Sequence, residues 1–261
     1  MKLEKIYNEL QDNVSDEKVT RRDALSKAGN FGIKAALASL PFVLSSLITK
    51  SAKAQSTTDI IAVLNFALTL EYLEAKFYQM GLAAPGLIPA GDRTVFLQIS
   101  KHETAHVGAL QGTITSLGGT PVSEPTFDFT AGGTYPDVFT NYATFLTLAQ
   151  AFEDTGVRAY KGQAGNLISN DAVLTAALQI HSVEARHASE VRRIRNNKGW
   201  ITQANTGGAP APVYNGENNF MQGGLDVRTI TTVSADAITE AFDETLTKDQ
   251  VLAIAGPFIV M

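Results

Sequence analysis

Apolar residues crowd into four stretches of helix length, and glycine, proline and threonine separate these stretches. Runs of this length, with capping residues at one end and glycine or proline at the other, are typical of α-helices. The four predicted helices run from Ile60 to about Met80, from Asp92 to about Leu117, from about Asp137 to Gly165, and from Asn170 or Asp171 to about Asn197. The pattern therefore predicts an all-α protein.

The connections between the predicted helices differ strongly in length. Residues 118–136, between the second and third helices, form a long segment rich in proline, glycine and threonine, whereas the other two connections are short turns. Two helical hairpins joined by one long crossover are the arrangement of a ferritin-like four-helix bundle. We therefore predict this fold for the chain.

The C-terminal segment has a different composition. Residues 199–233 are rich in glycine, asparagine and threonine and are predicted to be loop, followed by a helix from Ala237 to about Leu246 and one more turn that Thr247 caps. We expect this extension, about residues 198–261, to pack on the bundle, because its apolar side chains need cover. The predicted domain is residues 55–261.

Residues 1–54 have the layout of an export signal. The segment TRRDAL at residues 20–25 resembles a twin-arginine motif, an apolar run follows at residues 35–44, and AKA at residues 52–54 precedes Gln55. Basic residues, a short apolar run and a small-residue site are typical of a cleaved secretory signal. The alternative is an amphipathic or membrane-anchoring helix, but Lys34 and Pro41 interrupt the run. We predict cleavage after Ala54, no stable membrane insertion afterwards, and a periplasmic or cell-envelope location.

Charge and composition narrow the classes of function. The formal net charge is −5, and residues 1–54 contribute 9 Lys and Arg against 6 Asp and Glu, a net of +3, so cleavage would leave −5 − 3 = −8. An acidic domain lacks the basic surface that nucleic acids require. The chain contains no Cys, which excludes disulfides, thiolate metal sites and cysteine nucleophiles.

The candidate chemistry lies in a repeat. The pattern Glu-x6-Tyr followed by Glu-x2-His occurs twice, and the two glutamates of each copy are 32 and 31 residues apart. The first copy consists of Glu71, Tyr78, Glu103 and His106, and the second of Glu153, Tyr160, Glu184 and His187. Three residues advance an α-helix by about 300°, so each glutamate and its histidine share a face.

Four carboxylates and two imidazoles that point into one bundle are suited to two metal ions. Carboxylates bridge or terminate divalent cations, imidazoles add neutral ligands, and four negative charges balance two such ions. Tyr78 and Tyr160 are assigned a supporting catalytic role, because their hydroxyls can hold ligand carboxylates by hydrogen bonds. The sequence therefore predicts a dinuclear metal site.

This repeat resembles the rubrerythrin branch of the ferritin-like superfamily. The segments VLNFALTLEYLEAKFY at residues 63–78 and EAFDETLTK at residues 240–248 are similar to an exported ferritin-like family that includes desiccation-related proteins. The resemblance covers residues 57–256. It implies six metal ligands: Glu71, Glu103, His106, Glu153, Glu184 and His187.

Two features depart from rubrerythrins. Those proteins hold a further iron by four Cys, which this chain lacks, so electrons would have to come from an unidentified donor. Rubrerythrins also place an additional Glu near the ligand of the third helix, where this chain has Gln150, Gly156 and Val157 one turn away.

Several other polar residues are candidates for weaker roles. Glu74 is a possible additional ligand, or else an exposed or supporting carboxylate, and His181 either lines the site or lies at the surface. His102 is expected to point away from the ligand face into solvent. Five arginines are expected to be solvated: Arg158, Arg186, Arg192, Arg193 and Arg195.

Three functional hypotheses remain open at the level of sequence. The first is a protein with two iron ions that oxidises Fe(II) or reduces H2O2 or O2 in the cell envelope, as in iron homeostasis or oxidative stress. The second is a manganese catalase-like enzyme with two manganese ions, since both metals accept these ligands. The third is a non-enzymatic desiccation or stress protein with a structural metal. A homo-oligomer is compatible with each of them.

Overall fold

A computed structural model describes residues 55–260 of the chain. The predicted export signal, residues 1–54, and its cleavage site lie outside the described residues. Within the described part of the chain, no helix is both long enough and apolar enough to cross a membrane.

Four long helices form the body of the protein, as predicted. They are α1 (Thr57–Ala83), α2 (Arg93–Ser116), α3 (Tyr142–Gln163) and α4 (Asp171–Ile194). The most extensive helix contacts are those of α1 with α2 and of α3 with α4, so the bundle consists of two helical hairpins. The long connection between α2 and α3 joins the hairpins, and the all-α ferritin-like architecture is thereby confirmed.

Side-chain caps mark the starts of α1, α3 and α4, whereas Asp92 before α2 makes no side-chain capping hydrogen bond. Ser56 caps α1 in a reciprocal capping box with Asp59, and Asn170 caps α4 by accepting from the Val173 backbone N–H. The predicted start of α3 near Asp137 is wrong. Asn141 has an extended backbone and its side chain accepts from the Ala143 N–H, so the helix begins only at Tyr142. Residues 137–140 form a turn instead.

Two apolar clusters fill the bundle on either side of a polar band. One is rich in aromatic rings and contains Phe77 and Phe145, which stack with centroids 4.8 Å apart. The other contains mainly aliphatic side chains, including Leu68 and Ile114. Along α2, the first cluster takes residues before Glu103 and the second takes residues after His106. The polar band thus lies midway along the bundle, closed off from both ends by apolar packing.

The C-terminal segment is more ordered than predicted. Residues 199–233, expected to be loop, contain 3-10 helices at Ala211–Tyr214 and Val227–Thr229 and a hairpin of β2 (Met221–Gln222) with β3 (Leu225–Asp226). Near the chain end, β4 (Ile259–Val260) pairs antiparallel with β1 (Thr126–Phe127), which belongs to the crossover.

The predicted helix from Ala237 to Leu246 is wrong. It is replaced by the short α5 (Ala235–Thr239), and the longer α6 (Lys248–Ala255) follows the capping residue Thr247. The segment before Thr247 leaves the helical path because the backbone N–H of Leu246 bonds to the carbonyl of Arg158 on α3. Leu246 and Val251 are buried in the aromatic cluster, whereas Leu252 remains exposed.

Two arginines expected in solvent are instead buried. Arg158 on α3 forms an ion pair with Glu217 at 2.8 Å, and its guanidinium also donates to backbone carbonyls of the C-terminal segment. Arg192 on α4 pairs with Asp154 at 2.5 Å. Arg158 is buried because the C-terminal segment covers this side of α3 and supplies acceptors there, and Arg192 is buried because Asp154 on α3 accepts its hydrogen bonds. Arg186 and Arg193 are exposed, as expected, and Arg195 is half-buried.

Candidate metal centre

Each of the four long helices contributes to one buried polar cluster in the middle of the bundle. Glu71 comes from α1 and Glu153 from α3, and both are fully buried. The pairs on α2 and α4 are Glu103 with His106 and Glu184 with His187, all buried as well. The helical spacing of three residues places each pair on the side of its helix that faces the bundle axis. The structure therefore brings together all six residues that the sequence singles out as ligands.

The cluster consists of two overlapping groups of potential ligands. In each group, every residue offers one nitrogen or oxygen atom, and these atoms lie within 4.8 Å of one another. The first group is Glu71, Glu103, His106 and Glu184, and the second is Glu103, Glu153, Glu184 and His187. Because Glu103 and Glu184 belong to both groups, they have the placement of carboxylates that bridge two neighbouring cations.

Both histidine rings turn their Nδ1 atoms towards the carboxylates. The Nδ1 atom of His106 lies 3.2 Å from Glu71 Oε2, 3.2 Å from Glu103 Oε2 and 3.1 Å from Glu184 Oε1. That of His187 lies 2.8 Å from Glu103 Oε1 and 3.4 Å from Glu153 Oε2. Each imidazole thus presents one ring nitrogen to the same small volume as the carboxylate oxygens.

Several of these atoms lack hydrogen-bond partners among the described residues. They are Glu103 Oε1, Glu153 Oε2, both carboxylate oxygens of Glu184 and His187 Nδ1. The 2.8 Å approach of His187 Nδ1 to Glu103 Oε1 is close enough for Coulombic attraction but does not have hydrogen-bond geometry. Burial of polar atoms without partners costs free energy of folding, and a cation can accept the lone pairs of both oxygen and nitrogen atoms. The residues present therefore fit a pair of metal ions.

Burial and mutual contacts shift the proton affinities of the cluster. Burial raises the pKa of Glu71 to about 8 and raises the pKa of Glu184 well above its usual value. For Glu103, burial acts in the same direction, but the contacts with His106 and His187 outweigh it and lower the pKa to about 2. Burial also disfavours imidazolium, yet the surrounding carboxylates raise the pKa of His106 to about 12 and that of His187 to about 11. Without metal, the cluster therefore retains protons that a cation would have to displace.

The family of the chain follows from its match to known proteins. A family model described as a ferritin-like domain matches residues 59–197, which is more than half of the chain. The chain belongs to the ferritin-like domain family. No curated protein matches the chain. The matched region contains all six residues of the buried cluster, and the C-terminal segment lies beyond it.

In this ferritin-like protein, two tyrosines connect the hairpins at the cluster. The Tyr78 hydroxyl on α1 donates to Glu153 Oε1 on α3 at 2.5 Å, and the Tyr160 hydroxyl on α3 donates to Glu71 Oε1 on α1 at 2.5 Å. Burial raises the pKa of both phenols well above the usual value, so both remain hydrogen-bond donors. Each tyrosine thus orients a carboxylate of the other hairpin, while its catalytic role stays a prediction.

Glu74, the additional candidate ligand, is buried rather than exposed. It belongs to neither of the two ligand groups. Its neighbour across the bundle is Gly156, where a Cβ atom would lie 3.2 Å from Glu74 Oε1 and 3.2 Å from Glu184 Oε2. Burial, and then the charge of Glu184, raise the pKa of Glu74 well above its usual value. Glu74 therefore lines the cluster as a carboxyl group that favours its protonated form.

The histidines outside the repeat lie in different surroundings. His102 was expected to be solvated, but it is half-buried and its Nδ1 lies 2.8 Å from Nε2 of His187. The position of His102 on α2 alone does not predict this contact, because the partner ring belongs to His187 on α4. His181 is half-buried outside both ligand groups, and desolvation lowers its pKa.

Sequence reasoning missed a buried polar network behind Glu153. The next residue, Asp154, accepts hydrogen bonds from Arg192 and, at 2.7 Å, from the Tyr214 hydroxyl. The Gln150 amide in turn donates to the Tyr214 hydroxyl at 2.7 Å. The position of Asp154 directly after the ligand candidate Glu153 was a sequence signal that could have pointed to its role near the centre. No sequence spacing pointed to Tyr214, because it lies 60 residues further along the chain.

Proposed function

We propose that this ferritin-like protein holds two iron ions in the bundle centre and uses them to oxidise Fe(II) or to reduce peroxide or dioxygen. The observation that carries this proposal is the pair of overlapping ligand groups that share Glu103 and Glu184. One ion would be held by the first group, and the other by the second group. Four carboxylates would balance the charge of two divalent ions.

The proposed chemistry needs redox equivalents that amino acids alone do not provide. An iron pair, when bound, supplies one electron from each ion and acts as a Lewis acid towards the oxidant. Reduction of one H2O2 to two waters consumes two electrons and two protons, and two bound Fe(II) ions would supply the two electrons. Return to Fe(II) requires an external electron donor, because the chain has no Cys that could hold a second iron centre.

The protein itself would contribute three things: it orients the ligands, it excludes bulk water, and it supplies protons. Tyr78 and Tyr160 hold Glu153 and Glu71 by hydrogen bonds, and the apolar clusters on both sides keep bulk water from the centre. Burial favours the protonated form of Glu74, which lies beside Glu184. Glu74 would therefore be able to donate a proton beside the centre, because it belongs to neither of the two ligand groups.

The rubrerythrin-like repeat and the similarity to desiccation-related proteins support a protective role against oxidants. The twin-arginine-like segment at residues 20–25 supports a place of action in the cell envelope. Iron and manganese accept the same carboxylate and imidazole ligands, so the donor set itself is compatible with a catalase-like manganese pair or with a structural metal. These alternatives predict different results in one experiment.

The experiment is metal analysis of the protein purified from its native host, followed by a peroxide assay. About two irons per chain that are oxidised by H2O2 with little O2 release would support the proposal. Two manganese ions with rapid O2 release would replace it with a catalase-like function, and bound metal that never changes oxidation state would indicate a structural role.

Two variants separate the centre from adventitious metal. Glu103→Gln removes a shared carboxylate, and we expect it to abolish both stoichiometric metal and peroxide consumption. Glu190→Gln changes an exposed carboxylate of α4 and should leave both unchanged. Equal metal content in the two variants would contradict the proposed centre.

A further inference from the structure

His102 contacts the buried centre from outside. Its Nδ1 atom lies 2.8 Å from Nε2 of His187, and the two rings stack with centroids 5.1 Å apart and planes 12° from parallel. On its other side, the Nε2 atom of His102 lies 2.6 Å from the side-chain amide of the exposed Gln98. The three side chains thus form a continuous series from the surface to a candidate ligand.

The orientation of His187 determines which atom donates within this series. The ring presents Nδ1 to Glu103 and Glu153 and Nε2 to His102. A neutral imidazole that offers the Nδ1 lone pair to a cation carries its hydrogen on Nε2. His102 Nδ1 then has to accept this hydrogen bond, and its own hydrogen lies on Nε2. A 180° rotation of the Gln98 amide presents its oxygen to that N–H.

The second copy of the repeat lacks this partner. His102 directly precedes Glu103, and the residue that directly precedes Glu184 is Val183. The apolar side chain of Val183 accepts no hydrogen bond, and within the described residues His106 makes its hydrogen bonds and ion pairs only through Nδ1. The two ligand groups resemble each other in composition, but among the described residues only the histidine of the second group, His187, has a hydrogen-bonding partner at Nε2.

We propose that His102 is a positioning residue for His187, and that it makes the two halves of the centre unequal in affinity for divalent cations. The Nε2–H of His187 donates to His102 Nδ1, which fixes both the tautomer and the direction of the ring. The proposal rests on the binding of cations in the proposed centre but not on their redox chemistry. Partners of this kind change metal affinity by about 10–100-fold when they are removed.

Two variants of nearly equal shape test the hydrogen bond. His102→Asn keeps an acceptor at the place of Nδ1, His102→Leu removes it, and both lose the stacked ring. We expect His102→Leu to raise the dissociation constant of one of two Co(II) ions by about 10–100-fold and to leave the other unchanged. His102→Asn should restore most of that loss. His181→Phe, at a half-buried histidine outside both ligand groups, is the control and should leave both constants unchanged.

A measurement on the unaltered protein tests the same hydrogen bond and does not depend on whether a variant folds. In the Zn(II)-loaded protein, nitrogen-15 NMR should show the His187 hydrogen on Nε2 and a scalar coupling across the hydrogen bond to His102 Nδ1. Absence of that coupling, or equal Co(II) affinities in the Leu and Asn variants, would overturn the proposal. If the unaltered protein bound no cation, the metal centre itself would be refuted. Two unequal Co(II) constants in a protein whose iron never reacts with oxidant would refute only the redox function.

Discussion

Buried carboxyl groups contribute to the way in which the metal-free centre responds to pH. The pKa of Glu71 in the folded protein is raised to about 8 from an ordinary value of 4.5, because burial disfavours the charged form. Its protonated form is therefore the one that the fold favours. The contribution of Glu71 to the free energy of unfolding is fully present below about pH 4.5 and is lost as the pH rises through about 8.

We therefore expect the metal-free protein to lose stability as the pH rises from about 5.5 to about 8, a range that lies within the pKa shift of Glu71. The pKa values of Glu74, Glu184, His106 and His187 are raised as well, so these groups add to the fall. Glu103, with its pKa lowered to about 2, changes charge only below this window. Thermal unfolding in the presence of a chelator should show a midpoint that falls with pH. In Glu71→Gln the fall should be smaller, because the amide does not ionise.

Glu190→Gln serves as the control, since this exposed carboxylate should leave the pH dependence as it is. A midpoint that rises from pH 5.5 to pH 8 in the unaltered metal-free protein would contradict the assignment of Glu71 as a group that the fold protonates.

Helical spacing was sufficient to predict which single residues meet in the centre. Glu103 and His106 share a face because of local geometry alone, and the same holds for the pair on α4. The burial of Arg158 and Asp154 could not be predicted in this way. Their partners Glu217 and Tyr214 lie about 60 residues further along the chain, and only the folded C-terminal segment brings them close. Their roles depended on tertiary contacts that no local pattern encodes.

At the scale of elements, the C-terminal segment forms a layer on α3. This helix is buried along nearly its whole length from Phe145 to Tyr160, so it is the central helix of the protein. Polar residues on its outer side need partners within the covering layer, and Arg158 finds them in Glu217 and in three backbone carbonyls. The sequence predicted the approximate bounds of α1, α2 and α4, whereas the start of α3 was predicted about five residues too early. Most of the extra layer was predicted as loop because it contains little regular structure.

We expect Arg158→Ala to lower the free energy of unfolding by about 3–5 kcal/mol, because Glu217 would remain buried without its cation. Urea denaturation measures this loss. Arg186→Ala, at an exposed arginine of α4, should change stability by less than about 0.5 kcal/mol.

The double variant with Arg158→Met and Glu217→Leu removes both charges and fills the space with apolar atoms. It should be more stable than Arg158→Ala, since neither charge is left unpaired. If both variants at this pair unfolded like the unaltered protein, the ion pair would not connect the C-terminal segment to α3 as the structure indicates.

A glycine allows the same segment to approach α3 closely. A Cβ atom at Gly162 would lie 2.1 Å from the carbonyl oxygen of Leu246, so a side chain there has to displace the backbone. We expect Gly162→Ala to destabilise the protein by about 1–3 kcal/mol through this clash. Gly165→Ala is a matched control, because a Cβ atom at that position meets no atom within 4 Å.

Proteolysis provides a second measurement for this prediction. Displacement of Leu246 from α3 should make the C-terminal segment more susceptible to cleavage in Gly162→Ala but not in Gly165→Ala. Equal stability and equal cleavage of the two variants would show that the contact between Gly162 and Leu246 does not hold the segment in place.

At the scale of the whole molecule, the centre joins the two helical hairpins. Each ligand group takes residues from both hairpins: Glu103 on α2 and Glu184 on α4 occur in both groups. Cations at these positions would therefore oppose separation of the hairpins, which is part of global unfolding. The centre also lies between two apolar clusters, so the bundle has packed regions on either side that do not depend on metal.

We accordingly expect divalent metal to stabilise a bundle that already folds without it. Binding to the folded state alone adds about 2.7 kcal/mol when the free ion is present at about 100 times its dissociation constant. Mn(II) added to the chelator-treated protein should thus raise the thermal midpoint and the free energy of unfolding in urea.

Glu184→Gln should abolish most of this increase while the metal-free variant remains as stable as the unaltered metal-free protein. The reason is that burial raises the pKa of Glu184 well above its usual value, so a neutral amide of the same shape replaces a group that is protonated in the absence of metal. Glu190→Gln should retain the full increase. An increase of equal size in both variants would place the stabilising ions elsewhere on the protein. A Glu184→Gln variant that unfolded without metal would show that the Glu184 carboxyl group supports the fold in a way that neither burial nor protonation explains.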